Sequence, residues 1–70
     1  MIDAMVTTLD KRLTGHPDDL QGWLRLIHAR AIQGKPDLAG DALRRARAAF
    51  AGDAEAQHAL TQAAAESGLR

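Results

Sequence analysis

His16, His28 and His58 are the residues of this sequence best equipped for chemistry. An imidazole ligates zinc or moves a proton near neutral pH, but a metal site needs several ligands converging on one face, as two histidines at i and i+4 of a helix do. No two of these histidines have that spacing. Glu55 and His58 fall one helical turn apart, which supplies two donors and no third. With no cysteine in the chain, neither a thiolate site nor a disulfide can form. No nucleophile–base set, paired carboxylates or glycine-rich phosphate loop is present, so no catalytic residue, metal or cofactor is expected, and the chain does not read as an enzyme. Arg30, Arg44, Arg45 and Arg47 could form a basic patch. However, Asp37 and Asp41 share their helix, Asp41 four residues before Arg45, and nine basic residues balance nine acidic ones. That balance removes the long-range field on which general nucleic-acid binding depends, and no nucleic-acid partner is expected.

These side chains must be positioned by a small scaffold. Seventy residues make one domain near the size where a single core is marginal. Much of the 46% hydrophobic content is alanine, with one Trp and one Phe, so the core must come from close helix packing. Ile2, Met5, Val6, Leu9 and Leu13 recur at helical spacing and predict a first helix from about Ile2 to Thr14, ended by Gly15 and by Pro17, which cannot continue it. Asp18 or Asp19 caps a second helix reaching Gln33, apolar over a broad arc of Leu20, Trp23, Leu24, Leu26, Ile27, Ala31 and Ile32. Gly34 to Asp37 is a turn, with Pro36 and a capping Asp37 at the entrance of a third helix ending at Phe50. Leu38, Ala39, Ala42, Leu43, Ala46, Ala49 and Phe50 form its apolar side, while Arg44, Arg45 and Arg47 face elsewhere. Asp53 caps a last helix, to about Ser67, whose one large apolar residue is Leu60. Such short links force successive helices into antiparallel hairpins, and no strand signal is present. The expected class is all-α.

From Leu20 to Asp53 this pattern matches a tetratricopeptide repeat, which asks for W-x2-L-G-x2-Y on a first helix and spaced small and large residues on a second. Trp23, Leu26, Ala39, Leu43 and Ala46 match in register; Ile27, Arg30 and Ala51 stand where Gly, Tyr and Pro are usual. Ile27 adds bulk at a close contact, which is expected to splay the hairpin or to use Gly40 for room. Shifting the register makes residues 1–17 a half-repeat or capping helix, 20–53 a full repeat and 54–70 a following half-repeat, with Gln57 at its Trp position. The whole reads as one domain, a piece of a larger protein. No apolar run approaches the length of a bilayer span and no signal peptide is read at the start, so this segment is not expected to contact a membrane.

The segments M-I-D-A-M-V-x-x-L-D-K-R-L, H-P-D-D-L-Q-G-W-L-R-L and A-R-A-A-F-A-G-D-A together resemble the repeat region, C-terminal in those proteins, of the CcmI/CycH family of bacterial cytochrome c biogenesis proteins. That resemblance covers nearly the whole chain. It implies a periplasmic, chaperone-like module, carried behind a membrane anchor, that binds apocytochrome c through the cytochrome's C-terminal helix.

In a repeat array the binding groove is lined by first helices, here the second and fourth. The expected groove residues are Gln21, Leu24, Arg25, His28 and Ala31 on one and Glu55, His58 and Gln62 on the other. Leu24 and His28 stand where some repeat proteins carry a Lys/Asn clamp for a peptide carboxylate, so that clamp is missing. The alternative function is a structural oligomerisation module, or a generic scaffold with an unrelated peptide partner. Because about three repeats are needed for independent stability, copies are expected to pair as a homodimer through the stripe of the first helix.

Overall fold

The computed structural model describes residues 2–68, all of the regular structure in them helical: α1 (Ile2–Gly15), α2 (Leu20–Ile32), α3 (Pro36–Ala49) and α4 (Ala54–Glu66). The side chains of Ile2 and Asp3 lie outside the described ones, as do residues 1, 69 and 70.

Each helix end has a local cause. Asp19 caps α2, its carboxylate accepting from the backbone N–H of Gly22, and Asp53 caps α4 by accepting from that of Ala56. α3 starts differently from expectation. Its cap position is Lys35, which makes no side-chain capping bond, and Asp37 falls inside the first turn, where its charge meets the positive end of the helix dipole. Pro36 at the first helical position accounts for this two-residue shift of the cap, because its fixed φ already belongs to the helix. Beyond the end of α2 and its cap residue Gln33, the chain turns at Gly34, whose φ of +72° is a left-handed conformation open to glycine. The Lys35 N–H reaches back to the Arg30 carbonyl and the Gly34 N–H to that of Ala31, closing the last turn.

Successive helices run antiparallel. Leu13 near the end of α1 lies beside Gly22 near the start of α2. Arg45 near the end of α3 lies over Trp23 near the start of α2, and Arg47 reaches Gln57 and Thr61 on α4. The core joins Val6, Leu13, Trp23, Leu26, Ile27, Ala42, Ala46 and Leu60, with Leu43 and Phe50 packed against it. Trp23 is 2% exposed and donates its indole N–H to the Pro17 carbonyl at 2.9 Å, so its one polar atom is satisfied.

Several positions depart from the sequence reading, Leu38 and Ala49 of the expected apolar side of α3 among them, since both are exposed. Ile27 is fully buried, yet Gly40 makes no room for it, since a Cβ built there would meet nothing within 4 Å. The close approach is at Gly22, where a Cβ would stand 2.7 Å from Leu13 Cδ2 and 2.8 Å from Asp19 Oδ2. Ile32, placed on the buried arc of α2, is 85% exposed, and Met5, placed on the α1 stripe, is 72% exposed. Both sit at the edges of open hollows between helices, Ile32 between α2 and α4 and Met5 between α1 and α2, where the neighbouring helix borders the side chain without covering it.

The arginines also differ from expectation. Arg30 belongs to no surface patch but is 9% exposed, near Asp10 of α1 at 3.9 Å and donating to Gln33. Arg45 does not face away from the helices: it donates to Asp10 at 3.0 Å and to the Thr14 hydroxyl, over the Trp23 ring. Arg47 bonds Gln57 and Thr61. Arg44 is exposed and pairs with Asp41, which also faces Arg45 at the anticipated i,i+4 spacing, 3.7 Å. Gln57 uses both ends of its amide: the oxygen accepts from Arg47, and the nitrogen donates to the Arg47 and Phe50 carbonyls that α3 leaves open.

Candidate interaction surface

α2 presents one long face that α1, α3 and α4 leave uncovered. Along it Gln21 and Arg25 are exposed, and Leu24, His28 and Ala31 are half-buried; on α4, Glu55, His58 and Gln62 are exposed. The eight residues expected to share a groove are divided in the structure. His28 and Ala31 line a hollow of about 240 Å³ with Ile32, Glu66 and Ser67, between the C-terminal ends of α2 and α4. Arg25 instead lines a second hollow of about 250 Å³ with Met5, Val6, Leu9 and Ala29, between α1 and α2. Gln21, Leu24, Glu55, His58 and Gln62 line neither of these two.

The first hollow owes its position to the parallel run of α2 and α4, which brings His28 and Glu66 to 3.8 Å across it. Both are substantially solvent-exposed, so their attraction is weak. The Ser67 hydroxyl on the same rim is buried and has no hydrogen-bond partner among the described residues. Sequence reasoning missed Ile32, Glu66 and Ser67. The signal for Ile32 was its place at the end of α2 one turn beyond His28; Glu66 follows from continuing the α4 stripe of His58 and Gln62 by one turn.

No group of three metal-binding side chains converges among the described residues, and no helix of theirs is long and apolar enough to cross a membrane. The surface therefore offers shallow, mixed apolar and polar hollows between helices.

Fold and surface together define a short stack of antiparallel helical hairpins. No protein-family model and no solved structure matches the chain. Among curated proteins, it is 39% identical over 69 residues to the "Cytochrome c-type biogenesis protein CycH" of Bradyrhizobium diazoefficiens, a match covering 99% of this chain and 19% of that protein. The CycH of Rhizobium meliloti is 36% identical over 69 residues, covering 99% of this chain and 18% of that protein. The resemblance to CycH thus extends over nearly every residue, while the chain spans less than a fifth of the length of these relatives.

Proposed function

We propose that this chain is a tetratricopeptide-like, non-enzymatic interaction module of c-type cytochrome maturation that holds a segment of apocytochrome c. The observation that carries the reading is the end-to-end similarity to two CycH proteins, whose name assigns them to cytochrome c biogenesis. Scaffolds of stacked helical hairpins bind through side chains on their uncovered faces, and the α2–α4 hollow is such a place. In this reading the apocytochrome's C-terminal helix lays an apolar side chain against Ile32 and Ala31, while His28, Glu66 and the Ser67 hydroxyl meet its polar groups. A periplasmic setting, where c-type cytochromes receive haem, belongs to the same proposal.

Calorimetric titration of the chain with a peptide of an apocytochrome c C-terminal helix tests it. Saturable binding is expected, weakened in Ile32→Glu and His28→Ala and unchanged in Lys11→Ala on the far side of α1. No heat at tens of micromolar, or equal binding by all variants, refutes the reading.

A further inference from the structure

The hollow between α1 and α2 lies apart from the α2–α4 hollow assigned above, and its chemistry is different. Val6, Leu9 and Ala29 make its floor and Met5, 72% exposed, its rim, so its lining is largely apolar. Arg25 stands on the α2 side. Arg12 follows Met5 and Leu9 along the same stripe of α1, since positions 5, 9 and 12 fall on one face of a helix. Among the described arginines, Arg30, Arg44, Arg45 and Arg47 are each engaged inside the chain, by Asp10, Asp41, Gln57 or a neighbouring side chain. Arg12 and Arg25 are exposed and form no ion pair within the described residues. Arg25 thus lines the hollow that Met5 rims, and Arg12 lies one turn beyond Leu9 on the same face of α1.

We propose that the α1–α2 hollow docks an amphipathic helix of a partner protein that carries large apolar residues flanked by carboxylates. The lining repeats at helical spacing, Met5 and Leu9 from α1 and Arg25 and Ala29 from α2. A helix laid between them presents side chains at i and i+4 with the same rise. The volume of about 250 Å³ accommodates a large apolar side chain, and Met5 is the kind of flexible, polarisable side chain that remoulds around one. The arginines supply charge complementarity that selects an acidic helix over a basic one and sets its position along the hollow. A second copy of this chain fits less well: among the described residues, its exposed large hydrophobic side chains are Met5, Ile32 and Leu38, scattered over three helices. The inference does not depend on the α2–α4 hollow or on a cytochrome partner.

The probe is a labelled synthetic helical peptide as long as α1, with leucines at i and i+4 flanked by glutamates, and a counterpart in which lysines replace the glutamates. Fluorescence anisotropy should show the chain preferring the acidic peptide by about tenfold. The Arg12→Glu/Arg25→Glu variant should reverse that preference, and Met5→Glu should abolish binding of both. All three sites are exposed, so circular dichroism should report an unchanged fold. Equal affinity for the two peptides, no binding of the acidic one, or a preference that survives the charge reversal overturns the proposal. Light scattering that finds a dimer dissociated by Met5→Glu assigns the hollow to a second copy instead. Flotation with anionic phospholipid vesicles that depends on Arg12 and Arg25, without peptide binding, assigns it to a membrane. Either result overturns it.

Discussion

Replacing a glycine by alanine inside a helix should have opposite outcomes at two positions of this chain. Alanine stabilises a helix interior by about 1 kcal/mol relative to glycine, because the glycine backbone loses more freedom on folding. At Gly40 in α3 the new methyl group meets nothing within 4 Å, so Gly40→Ala should gain about 0.5–1 kcal/mol. At Gly22 in α2 the same methyl would stand 2.7 Å from Leu13 Cδ2 and 2.8 Å from Asp19 Oδ2. Leu13 is 1% exposed and has nowhere to move without displacing α1, and overpacking of that kind costs about 1–3 kcal/mol. Asp19 can yield only by loosening the carboxylate that caps α2, a bond worth about 1 kcal/mol. The gain in propensity offsets part of this, leaving Gly22→Ala destabilised by about 1–3 kcal/mol. For a chain this short, 1 kcal/mol moves the melting midpoint by about 4–8 °C, so the two variants should melt well apart, on either side of the wild type. Thermal unfolding followed by circular dichroism reads this directly. If Gly22→Ala melts at or above the wild type, the tight α1–α2 contact is refuted.

Other substitutions probe the remaining joints. Trp23→Ala should cost about 3–5 kcal/mol in urea unfolding, through lost core packing and the orphaned Pro17 carbonyl, which is enough to unfold so small a domain. Asp53→Ala should cost about 1 kcal/mol by removing the α4 cap. Gln57→Ala should cost about 1–2 kcal/mol and loosen the end of α3, visible as faster amide exchange around Phe50. Asp10→Ala should destabilise by about 1–3 kcal/mol, since it leaves Arg30 buried beside no carboxylate, whereas Arg44→Ala should change stability by less than about 0.5 kcal/mol.

What was legible in the sequence was whatever periodicity and turn chemistry encode. The four helices, a cap at Asp18 or Asp19 (the structure uses Asp19), the cap at Asp53, the turn at Gly34 and the burial of Trp23, Leu26 and Ile27 follow from spacing within one element. Contacts between elements were not legible. A single helical wheel shows Arg45 and Arg47 off the apolar face of α3. It cannot show that α1 and α4 pass close enough to engage them. Gly22 and Gly40 look alike as letters, and only the position of Leu13 makes one of them obligatory. The groove residues were placed by analogy with a long array. In this chain the uncovered face of α2 is shared between two hollows, which separates Arg25 from His28.

The carboxylate of Asp10 has a consequence for how the molecule comes apart. Repeat arrays with contacts only between neighbours fray from their ends, one unit at a time. Here one side chain on α1 holds Arg30 of α2 and Arg45 of α3 together, and Arg45 also covers the ring of Trp23. Peeling α1 away would strip the counter-charge from a buried guanidinium and loosen the lid over the central tryptophan in the same event. The terminal helix is thereby fastened to the centre, and unfolding followed by circular dichroism and by Trp23 fluorescence is expected to give one coincident transition.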